Sequence, residues 1–444
     1  MNLQFAPVKG RPRLNKTILL ASALLLFNRP GSAQTFSSPV DAYASYFDEV
    51  KASEEQNVDL WNRDMYGPIL LVNPKTREIC ANYPDAGDAL KPVGNVYCGT
   101  LPADINIANT MVHWNGRNWA MVMLPLPNNK DDRVNLLAHE LFHVTQSSLG
   151  FHGYSPDNSQ LDEKNGRILM RLEVEALRKS LESTSGYDMK KHLTDAMIFR
   201  EYRYSLFPEA KITENLLELN EGLAEYTGLI VSNRTKEETL YHFETSLNAF
   251  IRFPTFVRSF AYETIPIYGY LLQQTERYWN KKVTQETNLA DLFIQDFGLT
   301  LPSDLPSAER SIEDMYDGKL IRAEETNREA MRQQQVEKYR KEFVDQPHLE
   351  IPLEKMHVSF DPRNVIPLDD KGNVYPTMRV TDNWGILDVQ NGALLSPHWD
   401  KITVSNPMKI DGGNASGDGW TLQLDSSYIL VQDYATGNYR LSKR

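Results

Sequence analysis

One stretch constrains this chain more than any other: DDRVNLLAHELFHVTQSSLG, residues 131–150. Its pattern is helical, with Leu136, Leu137 and Leu141 as apolar flanks, Asp131 or Asp132 suited to cap its start and Gly150 to end it. In such a helix His139 and His143 stand at i and i+4, so both imidazoles leave the same face one turn apart. Two neutral imidazole nitrogens at that spacing reach one Zn²⁺ at about 2.0–2.1 Å. Glu140 sits beside them, placed to take a proton from water as a general base. The competing reading is two structural histidines on an ordinary helix. The helical pattern, its flanks and a β-hairpin pattern just upstream favour the metal.

Catalytic zinc takes three protein ligands and keeps a fourth position open. A second helical pattern, TENLLELNEGLAEYTGLIV, supplies the third ligand. Glu221 and Glu225 again lie at i and i+4 on one face. Glu221 is assigned to the metal, and Glu225 to a hydrogen bond behind a ligating histidine. Gly222 and Gly228 each weaken an isolated helix by about 1 kcal/mol relative to Ala, and close backbone approach to the motif helix accounts for them. Another strong helix, RILMRLEVEALRKSLES, offers Glu173 or Glu175 as the third ligand instead. An oxyanion formed at a carbonyl needs a hydrogen-bond donor besides the metal. The candidates are Tyr226, Tyr262, Tyr268 and His242.

The N-terminus carries Lys9, Arg11, Arg13 and Lys16, then the apolar run TILLASALLLF and small residues at Gly31 and Ala33. That layout predicts an export signal over residues 1–33, its apolar run too short for the roughly twenty residues that span a bilayer. Those residues hold five of the 47 Lys+Arg and none of the 59 Asp+Glu, so without them the net charge moves from −12 to −17. An acidic surface disfavours nucleic acid and anionic membrane as partners, and no later stretch is apolar enough to cross a membrane. Export to a periplasm or the extracellular space makes a Cys80–Cys98 disulfide the expectation, worth roughly 3 kcal/mol; two free thiols are the alternative. No G-x-S-x-G nucleophile motif and no phosphate-binding glycine loop is present.

Beyond the signal, residues 34–130 read as mixed α/β, with a helical opening and later two β-rich runs around Asn115-Gly116, a hairpin signal. Residues 131–300 are helical, 301–347 a Pro-rich break and a solvated helical linker, and 348–444 strand-like runs alternating with turns. Trp384 and Trp420 in this tail read as core.

HELFH followed by NEGLAEYTG resembles the gluzincin type of zinc metallopeptidase, a branch of the thermolysin-like zincins. The resemblance covers about residues 110–230. It implies an α+β zincin-like core, a mixed sheet with a hairpin over a mostly helical lower half, followed here by the small all-β domain. It implies one Zn²⁺ held by His139, His143 and Glu221, with Glu140 as base and Glu225 as the carboxylate behind a ligand. It implies peptide or protein substrates, with extended substrate backbone lying along the edge strand of the hairpin, here NWAMVML. Gln146 and Leu149 stand where metzincins carry Gly and His, which excludes that subclass. The spacer from His143 to Glu221 is far longer than in thermolysin-type enzymes. The alternatives are a catalytically inactive zincin-like binding or scaffold protein, against which the intact Glu140 argues, and a zinc hydrolase of non-peptide amides or esters.

Overall fold

The computed structural model describes residues 39–103, 105–360 and 365–444. The predicted export signal lies outside these residues. The described chain is mixed α/β with a β-rich region at its C-terminal end.

Helix α1 (Pro39–Gln56) precedes a six-stranded sheet. Its strands are β1 (Ile69–Val72), β2 (Glu78–Ala81), β3 (Lys91–Val93), β4 (Val96–Thr100), β5 (Thr110–Trp114) and β6 (Arg117–Met123), in the order β3-β4-β2-β1-β6-β5. β1 is parallel to β6, and every other neighbouring pair is antiparallel. The run Ile-Leu-Leu-Val of β1 is buried at all four positions, as a strand covered on both faces should be. Ile69, Leu71, Ala120 and Val122 face the helices, while Leu70, Val72, Trp119 and Met121 pack into a smaller cluster on the other side.

The β5–β6 hairpin turns through Asn115 (φ 46°) and Gly116 (φ 76°). Positive φ at both central residues matches the turn to the strands' right-handed twist, which is why Asn-Gly stands there. NWAMVML, however, is not an edge. It is β6, paired with β1 on one side and β5 on the other, so its backbone is already committed and the free edge belongs to β5. Cys80 and Cys98 are directly opposed on β2 and β4 and form a disulfide, their Cα atoms 4.2 Å apart.

Helix α2 (Lys130–Gln146) carries the two histidines. Its cap is Asn129, whose side chain accepts from the backbone N–H of Asp131 and Asp132. Both aspartates therefore sit in the first turn, where they favour the helix dipole, rather than at the cap. A short 3-10 turn then leads to Gly150 at φ 91°. There follow α3 (Lys164–Glu182), α4 (Gly186–Leu206) and α5 (Ala210–Leu217), then a π turn (Glu218–Gly222) that runs directly into α6 (Leu223–Val231). Next come α7 (Lys236–Phe250), α8 (Ala261–Leu272), α9 (Leu289–Asp296), α10 (Leu305–Ile312) and α11 (Gly318–Arg340). Among the described residues, no helix is long and apolar enough to cross a membrane.

Two glycines set the helix spacing. A Cβ on Gly228 would lie 2.5 Å from the carbonyl oxygen of Asn135, so α6 meets α2 backbone to backbone. A Cβ on Gly222 would lie 2.6 Å from Cγ1 of Ile265 on α8. Only Gly228 thus serves the motif helix; Gly222 serves a different neighbour.

Helix α11 lies along α3 through ion pairs from Arg167 and Arg171 to Glu325, both at 2.8–2.9 Å. Beyond it, His348–Lys443 forms a seven-stranded and a six-stranded sheet whose inner faces share one apolar core, with Leu349, Ile402, Val404, Val380, Trp384 and Trp420 at its centre. Tyr339 and Phe343 at the end of α11 pack with Leu368, Val374 and Leu394 on that region.

The α2–α6 contact leaves no room for a methyl group. Gly228→Ala should cost about 1–3 kcal/mol by overpacking, read as a lower Tm in thermal unfolding. Gly186→Ala, where the added Cβ meets nothing within 4 Å, should cost nothing.

Candidate metal centre

Two helices build the site from opposite sides. His139 and His143 leave α2 on one face, and Glu221 reaches them from the π turn. One ligand atom from each of the three lies within 4.8 Å of the other two. The two Nε2 atoms are 3.2 Å apart, and Glu221 Oε2 is 3.6 Å from that of His139 and 3.5 Å from that of His143. Ligands 2.0–2.1 Å from the centre of a tetrahedron are about 3.3–3.4 Å from one another. The two nitrogens and one carboxylate oxygen therefore match the donor types and spacing of a three-ligand zinc site.

The other nitrogen of each imidazole is already used. His139 Nδ1 donates to Glu225 Oε2 at 2.8 Å, and Asn135 Nδ2 donates to Glu225 Oε1 at 2.8 Å. Arg234 continues this chain, donating to Asn135 Oδ1 at 2.9 Å and pairing with Asp132 at 2.6 Å. His143 Nδ1 donates to Gln146 Oε1 at 3.0 Å; Gln146 Nε2 donates to Asn220 Oδ1 at 3.1 Å, and Asn220 Nδ2 to Glu221 Oε1 at 3.2 Å. Both rings are thus fixed with Nε2 aimed at the shared point, as hydrogen bonds behind metal ligands commonly do.

Glu140 is fully buried, and neither carboxylate oxygen has a hydrogen-bond partner among the described residues. Leaving such a group unsatisfied costs on the order of 1–3 kcal/mol, and more when it is charged. Burial pushes its pKa up, while the two imidazoles pull the other way. A carboxylate kept at that cost beside three converging ligand atoms fits a group that works on something bound there. Burial also opposes charge on His139, but hydrogen bonds to Glu221 and Glu225 outweigh it and push its pKa up to about 10. For Glu221 burial is again the largest influence, and its contacts with the two histidines reverse it, holding its carboxyl well below the usual carboxylate range.

The proposed oxyanion donors separate clearly. Tyr262 Oη donates to Glu221 Oε2 at 2.5 Å, and its ring stacks on His139 with centroids 5.5 Å apart. Tyr268 is buried elsewhere, donating to Glu173 at 3.1 Å. Tyr226 packs on Trp279, and His242 stands 3.8 Å from Asp132. The rival third ligands separate too. Glu173 is enclosed between Arg200 and Arg203, at 2.7 and 2.8 Å, and Glu175 pairs with Arg178 at 3.1 Å.

Several residues at the centre carry no sequence motif. Asn135 lies one turn before His139 and Gln146 just under one turn after His143, which is the only local signal either gives. Arg258, one turn before Tyr262, places Nη2 3.5 Å from Glu221 Oε1 and donates through Nη1 to Ser155 Oγ. It is 26% exposed and brings positive charge to the rim.

No protein-family model matches the chain, and no curated protein or solved structure is similar enough to it to count as a match.

The two rival carboxylates should behave differently from a ligand. Glu173→Gln removes one partner from a buried ionic network and should destabilise the protein by about 3–5 kcal/mol, measured by denaturant unfolding. Glu175→Gln, at a partly exposed pair, should change stability by less than about 0.5 kcal/mol.

Proposed function

We propose that the chain is an exported zinc-dependent peptidase with a zincin-like core and Glu140 as its general base. The observation that carries this reading is the convergence of His139, His143 and Glu221 beside a buried carboxylate, Glu140, with no hydrogen-bond partner among the described residues. His139, His143 and Glu221 would hold the metal, with Glu225 and Gln146 fixing the imidazoles. A zinc ion there supplies Lewis acidity, polarising a carbonyl and acidifying water.

Glu140 takes the proton of the attacking water and passes it to the leaving amine. Burial favours its protonated form, which suits a group that must both accept and release a proton. A closed structural metal site has no use for such a base, which argues against a scaffold. Of the candidate donors Tyr262 is the one that contacts a ligand carboxylate and a ligand ring, and its hydroxyl would turn from Glu221 to donate to the developing oxyanion.

The preference for peptides over other amides and esters rests on the sheet. β5 is an edge strand antiparallel to β6, and it precedes the motif helix by one strand. An extended peptide adds to such an edge through its own backbone hydrogen bonds. Export is supported by the basic-then-apolar N-terminus and by a disulfide, which fits an oxidising compartment.

Hydrolysis of an unfolded protein such as casein tests the reading. Glu140→Gln should lower the rate about a hundredfold or more with the metal retained. A chelator should abolish wild-type activity and zinc restore it. Equal activity of wild type and Glu140→Gln would contradict the assignment of the base.

A further inference from the structure

Four carboxylates of one helical run, Glu214, Glu218, Glu221 and Glu225, fall at i, i+4, i+7 and i+11. In an unbroken α-helix each residue turns about 100°, so all four would crowd within about 60° of one another on one face. The structure divides them into two pairs. Glu214 accepts from Arg203 Nη2 at 2.7 Å, and Glu218 accepts from Arg200 Nη1 and Nη2 at 2.9 and 2.8 Å. Both arginines belong to α4 and are fully buried. Glu221 and Glu225 instead meet the histidines of α2.

The division falls at the π turn, Glu218–Gly222. A π turn takes up one residue more than an α turn, so everything beyond it is rotated by roughly 100° relative to what precedes it. Such turns are frequent at functional sites. Here the rotation separates carboxylates bound for arginines from carboxylates bound for imidazoles.

Glu218 is the residue on which the turn is held. Besides the two-pronged contact from Arg200, its Oε1 accepts from Thr264 Oγ1 on α8 at 2.8 Å. Glu173 lies between the two arginines and also accepts from Tyr268. Five charged side chains are buried in this cluster. An apolar cluster of the same volume would often be as stable or more so, so burial alone does not explain its presence. No member touches His139, His143 or Glu221 by any of these bonds; Glu218 reaches the centre only by being three residues from Glu221 in the same turn.

We propose that Glu218, held by Arg200 and Thr264 together, is a positioning device for the metal centre: these contacts lock the π turn and so set the rotation at which Glu221 meets His139 and His143. The inference rests on the metal reading above. Arg200 and Glu218 act through the turn and touch neither metal nor substrate.

The test uses the full chain as wild type, Glu218→Gln and Thr264→Val. Zinc affinity is measured by competition with a chromophoric chelator, the visible spectrum after cobalt(II) loading reports ligand geometry, and Tm is taken on the metal-free proteins. Both variants should bind zinc about tenfold or more weakly, the low end for residues that orient ligands, with an altered cobalt spectrum. Thr264→Val keeps every charge and carries the test if Glu218→Gln does not fold. A lower Tm with zinc affinity and cobalt spectrum like wild type would make these contacts purely structural and overturn the proposal. Wild type that binds neither metal would instead overturn the metal reading itself, and this inference with it.

Discussion

The centre depends on how closely α6 can lie on α2. At Gly228 the two backbones meet with no side chain between them, and the carbonyl oxygen of Asn135 occupies the space a Cβ would need. That approach lets the side chain of Asn135 and the imidazole of His139 share one carboxylate, Glu225. It also brings Glu221, from one turn earlier, within reach of both Nε2 atoms. A residue 78 positions beyond His143 becomes its neighbour through packing rather than through sequence spacing.

Electrostatics then decide what such a pocket can hold. Glu140, Glu221 and Glu225 are all buried within it, where negative charges repel more strongly than they would in water. Something positive has to offset them. Arg258 contributes from the rim, and the contacts of His139 with Glu221 and Glu225 push its pKa up to about 10, which favours its charged form. A divalent cation would meet the same demand in place of a proton on His139, the usual coupling of metal binding to ligand ionisation. A charged His139 would leave the Glu140 oxygens, which have no hydrogen-bond partner among the described residues, unexplained.

How much of this was legible in the sequence varies by kind of feature. Local spacing carried far: the i, i+4 histidines, the i, i+4 glutamates and the Asn-Gly hairpin turn each appear as helix face or turn. The β-rich tail was readable from alternation and turn residues, with Trp384 and Trp420 buried in its core. What failed needed neighbours. The resemblance makes NWAMVML an edge strand, but strand order depends on β1, which pairs with it in parallel from 51 residues away. Two aspartates just after Asn129 satisfy the same capping rule and hide it. Gly222 reads as a contact with α2 because the helix it faces, α8, carries no motif. The π turn has no composition signature at all, and four glutamates in helical register hide it by appearing to share one face.

Three side chains, His139, His143 and Glu221, converge where one metal ion would sit. Zinc content by mass spectrometry on purified residues 34–444, wild type against Glu221→Gln, tests that most directly. About one zinc per chain in wild type, lost with Glu221→Gln while the protein stays folded, is the result predicted. No zinc in wild type even after metal is supplied, or full zinc retention in Glu221→Gln, would contradict it.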